Sequence, residues 1–141
     1  MKELIQSVAE FHRGFGVPVN DRPTLPATDR RELRIRLLQE EWHEYLEAER
    51  KRDMVEIADA LGDMLYVIVG TALEYGIPIE AVVREICASN ASKVGGPMRE
   101  DGKILKGPGY FKPKLAEILE AAAARAEYWD ERRRAHEVSD G

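Results

Sequence analysis

Residues 55 to 73 read VEIADALGDMLYVIVGTAL, and this stretch narrows the possible folds more than any other. It is nearly all apolar and holds no base, yet it carries Glu56, Asp59 and Asp63. Their i, i+3 and i+7 spacing puts all three on one narrow arc of an α-helix. The segment before it, LQEEWHEYLEAERKRD, is also helical in period and adds Glu40, Glu41 and Glu44. Only Arg52-Asp53 separates the two, so the helices must be antiparallel neighbours, as in a helix bundle.

The rest of the chain follows the same pattern. Leu4, Ile5, Val8 and Phe11 predict a helix over 2–13. GFGVPVNDRPTLPAT is a Pro- and Gly-punctuated loop. Asp29 with Glu32, and Asp53 with Glu56, have capping-box spacing, predicting helices to about Lys51 and to Tyr75, the latter stopped by Gly76 and Pro78. A fourth helix is expected over 79–93, ending at Gly95-Gly96. GGPMREDGKILKGPGYFKP is a loop, and a fifth helix begins near Pro113 and frays into a charged tail at 132–141. No period-two segment is long enough for a strand. The expectation is one all-α domain over 1–141, a four- to five-helix bundle.

On a helical wheel at 100° per residue, Glu40, Glu41 and Glu44 share a side with Leu33, Leu37 and Ala48. Ile35, Trp42 and Leu46 form a second apolar ridge opposite. Two ridges need two partners, so the bundle is expected to dimerise through its helices. The two acidic stripes are expected to face each other across the bundle interior. Like charges ~4 Å apart repel by roughly 4 kcal/mol at an effective dielectric near 20. Such a set must therefore hold protons or a cation. All-oxygen ligands suit Mg²⁺ or Mn²⁺ better than zinc. Glu56 by itself reads equally as a helix-dipole partner, and Glu47 and Glu49 as solvated neighbours of Arg50 and Lys51.

Other chemistry is less well supported. Net charge is −5 with a pI of about 5.3, so no overall basic field attracts nucleic acid or anionic membrane. Cys87 is the sole cysteine, so an internal disulfide is excluded and a reducing cytoplasm fits. MKELIQSVAEF lacks the features of a signal peptide, and no apolar run is long enough for a membrane span. Glu40-x-x-His43 matches half of a di-iron bundle motif, but neither His12 nor His136 completes a second copy. His43 reads as a surface residue.

The pattern Glu40-Glu41-x-x-Glu44 followed by Glu56-x-x-Asp59 resembles the signature of the all-α nucleoside triphosphate pyrophosphohydrolases, the superfamily of MazG-like proteins, dimeric dUTPases and phosphoribosyl-ATP pyrophosphohydrolase. The resemblance spans about Phe11 to Phe111. It implies Mg²⁺, with Mn²⁺ a possible substitute, held by Glu41, Glu44, Glu56 and Asp59. Glu40 would help hold a second ion or orient water, and Asp63 would reach a further ion or the sugar. Asn90-Ala-Ser-Lys93, and Lys103 with Lys106 and Tyr110 in KILKGPGY, resemble the nucleotide-binding tail of the dUTPase-like branch.

The expected activity is hydrolysis between the α and β phosphates, giving a nucleoside monophosphate and pyrophosphate. Either Glu40 or Glu41 would handle the proton of the attacking water. Lys93 and the basic loop would meet the leaving pyrophosphate. Phe11, Phe15, Trp42 or Tyr66 would wall the base, and Asn90 would read its edge. dUTP is the favoured substrate, with a broader role on damaged nucleotides as the alternative. Readings of other classes are a di-metal oxidase bundle and a non-catalytic helical dimer.

Overall fold

The structure, a computed structural model, describes residues 1–139. Five helices follow in order: α1 (Lys2–Gly14), α2 (Thr28–Lys51), α3 (Met54–Glu74), α4 (Ile79–Ala91) and α5 (Leu115–Ser139). Among the described residues there is no strand, only an isolated antiparallel bridge between Met98 and Ile104. The all-α expectation holds. No single described helix is long and apolar enough to cross a membrane. The chain forms two compact units, Met1–Ile77 and a second from Pro78 onward.

In the first unit α3 is the central element and packs against both α1 and α2. Its Ala60, Val67, Val69 and Ala72 are buried, as are Val8 and Ala9 of α1 and Ala48 of α2. Small residues at these positions let the helix backbones approach closely. The Asp53 cap is present, with its Oδ1 accepting from Val55 N at 3.0 Å and Glu56 N at 3.3 Å. The Asp29 cap is not: α2 starts two residues earlier than that cap implies, with Ala27 at its N-cap. Asp29 instead lies in the first turn, where its charge still favours the exposed N–H groups. Arg52 closes α2 in the left-handed conformation at φ 56, and this makes the tight antiparallel reversal.

A polar network absent from the sequence reading ties the loop and helices together. Glu74 is fully buried. Its carboxylate accepts from Arg30 Nε at 3.1 Å, Arg30 Nη2 at 2.7 Å and Arg34 Nη1 at 3.5 Å. Arg34, also buried, donates to Thr71 Oγ1 at 3.0 Å and to the Val67 carbonyl at 2.7 Å. Burial lowers the Arg34 pKa while Glu74 opposes that shift. The Asn20 amide donates to the Glu74 carbonyl, and Thr24 N donates to the Tyr75 carbonyl. The Pro- and Gly-rich loop is thereby fastened to the C-terminal end of α3. Gly76 has φ 62, and a Cβ there would lie 1.9 Å from the Arg22 carbonyl oxygen, so only glycine lets the loop pass.

In the second unit α4 packs on α5, which remains helical to Ser139 rather than fraying at 132; residues 140–141 lie outside the described residues. α4 ends at Ala91, short of Lys93. There the Ser92 hydroxyl donates to the Ser89 carbonyl and accepts from Phe111 N, while Ser89 Oγ donates to the Phe111 carbonyl. These bonds pin the end of the intervening loop onto α4. Within that loop Leu105 N donates to Pro97 O and Arg99 N to Lys103 O, forming a short hairpin. At its neck a Cβ on Gly96 would meet the Leu105 oxygen at 2.1 Å, and one on Gly107 would meet Gly96 N at 2.7 Å.

Candidate active site

The site is built on the α2–α3 hairpin. Glu41 is its centre: the side chain is half-buried, and its Oε2 is shut off from solvent without a hydrogen-bond partner. Its pKa is pushed up, first by burial, then by the charges of Glu44, Asp63, Glu40 and Asp59. Acids from both helices therefore bear on one carboxylate, as the stripes predict. Their enclosure differs from the expectation. Glu40, Glu44, Glu56, Asp59 and Asp63 are exposed, and only Glu41 reaches inward. Hydration of the outer acids is the physical reason, because enclosing unpaired like charges would cost several kcal/mol each.

Glu56 sits with Glu44 on a recess of ≈430 Å³ at the hairpin end, which His43, Glu47 and Lys51 also line. His43 is exposed, and its Nδ1 lies 2.6 Å from the Gln39 carbonyl, an in-helix bond that suits a surface residue. Glu47 pairs with Arg50 and Lys51, and Glu49 accepts from the Tyr45 hydroxyl. These neighbours are thus occupied apart from the acidic group.

Among the described residues, no three His, Cys, Asp or Glu side chains converge closely enough to hold an ion as they stand. The donor set nevertheless fits a hard cation. It is all oxygen, it is of one sign, and it includes an orphaned buried carboxylate oxygen. Mg²⁺ commonly keeps several waters and takes one or two carboxylates plus substrate phosphates, so a closed protein cage is not required.

Of the aromatic candidates, Phe11, Phe15 and Tyr66 gather: Phe11 is 4.5 Å from Phe15 and 5.9 Å from Tyr66, ring centre to ring centre. Tyr66 lies one turn beyond Asp63 on α3. Trp42 does not join them and pairs instead with Tyr45 at 5.7 Å. Asn90, Lys93, Lys103, Lys106 and Tyr110 all belong to the second unit. Asn90, Lys93 and Lys103 line one recess there, and the Lys106 ammonium lies 4.7 Å from the Tyr110 ring centre.

The raised Glu41 pKa has a measurable consequence. A folded-state pKa above the ordinary carboxylate value gives stability that is present at low pH and lost as pH rises through the raised value. Glu41→Gln is therefore expected to raise the metal-free Tm at about pH 8 by on the order of 1–3 °C. The gain should vanish near about pH 4. Thermal melts at the two pH values check this, and equal melting of the two proteins at the higher pH would remove the repulsion.

Residues 8–90 match the family profile described as phosphoribosyl-ATP pyrophosphohydrolase. The match takes in Glu40, Glu41, Glu44, Glu56, Asp59 and Asp63. An uncharacterized protein of Acanthamoeba polyphaga mimivirus is 37% identical over 79 residues, 53% of this chain. The aligned part covers 32% of that relative's length. The acidic hairpin and the profile agree, and the chain belongs to the phosphoribosyl-ATP pyrophosphohydrolase family, within the all-α, MazG-like superfamily of nucleoside triphosphate pyrophosphohydrolases.

Proposed function

We propose that the protein is a Mg²⁺-dependent nucleoside triphosphate pyrophosphohydrolase, with dUTP the favoured substrate and nucleotide-pool house-cleaning in the cytoplasm its role. The observation that carries this is the unpartnered Glu41 oxygen, set among four acids from α2 and α3 that raise its pKa. Glu40, Glu41, Glu44, Glu56 and Asp59 are the residues that would hold the ion. When bound, Mg²⁺ supplies charge neutralisation at the triphosphate and a more acidic water.

The remaining steps fall to the chain's own residues. Glu40 or Glu41 takes the proton of the attacking water. The water oxygen bonds to the α phosphorus, and the electron pair of the α–β bridge leaves with pyrophosphate. Lys93, Lys103 and Lys106 offer point charges to the phosphates. Asp63 would accept from the sugar hydroxyl, and Tyr66 would offer an aromatic face. Tyr110 and Asn90 complete the substrate contacts.

A pyrophosphate-release screen over standard, deoxy, modified and phosphoribosyl nucleotides with Mg²⁺ and with Mn²⁺ is the test. dUTP is expected to turn over fastest. Release from none of them, with either metal, would remove the enzymatic reading; faster release from another nucleotide would move the substrate assignment alone.

A homodimer completes the proposal. On α2, Ile35, Trp42 and Leu46 stand exposed, and on α3 so do Met54, Leu61, Leu65 and Ile68. Spacings of seven, four and three residues align the α3 set into one apolar strip. Light scattering is expected to give at least twice the 16.0 kDa of one chain, and a single-chain mass would overturn the dimer.

A further inference from the structure

We infer that Lys51 binds the terminal phosphates of the substrate, so that the triphosphate lies along the α2–α3 hairpin and pyrophosphate departs at the Arg52–Asp53 turn. This rests on the pyrophosphohydrolase reading and adds which end of the hairpin takes which end of the substrate. It involves the first unit alone.

Two stripes meet at that turn. On α2, Glu44 and Lys51 are seven residues apart and share one face. On α3, Glu56, Asp59, Asp63 and Tyr66 fall within about 80° of one another at 100° per residue, and Tyr66 lies roughly 15 Å along the axis from Glu56. The α3 stripe therefore has two unlike ends. At one, Tyr66 meets Phe11 ring to ring at 5.9 Å. At the other is the ≈430 Å³ recess lined by Glu44, Glu47, Lys51 and Glu56. A flat base matches the aromatic end, and a phosphate chain matches the end that offers charge.

Among the residues described as lining this recess, Lys51 is the only lysine or arginine. His43 also lines it, but its Nδ1 hydrogen is already given to the Gln39 carbonyl. The Lys51 ammonium is available. It lies 3.9 Å from Glu47 Oε2, and both side chains are largely open to water. Such a contact holds little energy, and Glu47 keeps Arg50 as a closer partner when Lys51 turns away.

Three carboxylates face one ammonium here, so the recess by itself repels pyrophosphate. With a divalent ion on Glu44 and Glu56 that excess is cancelled, and Lys51 adds a point charge for the phosphates beyond the ion. Ion and pyrophosphate therefore bind together, each strengthening the other.

Isothermal titration of the full chain with inorganic pyrophosphate, in Mg²⁺ and in EDTA, tests the assignment. Binding is expected in Mg²⁺ and not in EDTA. Lys51→Ala is expected to weaken it by about 10-fold or more, and Lys51→Arg to keep most of it. dUMP, or the monophosphate of whichever nucleotide the release screen ranks first, should bind wild type and Lys51→Ala alike, because its one phosphate stops short of the turn. Equal pyrophosphate affinity in wild type and Lys51→Ala, in an enzyme that turns over a nucleotide, would overturn the Lys51 role and leave the enzymatic reading intact. An equal loss for monophosphate and pyrophosphate would also overturn it, since Lys51 would then act on the whole site rather than at its terminal-phosphate end. No turnover and no binding of either ligand would remove both readings.

Discussion

Glu41→Ala and Asp59→Ala are each expected to cut Mg²⁺-dependent pyrophosphate release by on the order of 10²–10⁴-fold while the helices stay folded. The two acids lie on different helices, and the Asp59 charge is the weakest of the four that help raise the Glu41 pKa. Losing either removes an oxygen donor from the acidic group. The fold is expected to survive because Asp59 is exposed and Glu41 half-buried, and because each truncation relieves like-charge repulsion. Circular dichroism and a pyrophosphate assay on the same preparations separate the two effects. Near-normal release from either variant would refute that residue's place in the site.

The largest loss of stability is expected at the opposite end of α3. Glu74→Ala strands Arg34, which is only 6% exposed, without its carboxylate partner. Removing one member of a buried ion pair costs about 3–5 kcal/mol, since the remaining charge is desolvated and uncompensated. Arg30, more exposed, can turn toward water and loses less. Urea unfolding monitored by circular dichroism measures the difference. Replacing Arg34 together with Glu74 by Met and Leu is expected to recover part of the loss, because no charge is then left buried. A loss under about 1 kcal/mol for Glu74→Ala would show that water reaches Arg34 in solution.

The helices were legible in the sequence because their signals are local: Asp53 caps α3, Gly76 ends it, and apolar spacing marks the inner faces. The side of each helix that carries its acids was legible for the same reason. How deeply those acids are enclosed was not, because a wheel shows direction and not the distance between neighbours; only Glu41 reaches inward. The Asp29 cap failed because several residues near a helix start can serve its N-terminus, and the chain entered the helix at Thr28. The Arg30–Arg34–Glu74 network was hidden by sequence separation: its carboxylate lies 44 and 40 residues from its guanidinium partners. Arg30 and Arg34 at i and i+4 on one helix, with Glu74 the last residue of an apolar one, were the signal available.

The guanidinium–carboxylate knot also governs how α2 and α3 are lined up along their length. Smooth apolar surfaces tolerate sliding, but forked hydrogen bonds to a fixed carboxylate do not. A slip of one helical turn, about 5.4 Å, would tear Arg34 from Glu74 and carry Glu41 out of step with Asp59 and Asp63. The knot works as an alignment pin: it bears no chemistry of its own, yet it sets which negative charges stand opposite one another at the far end of the hairpin.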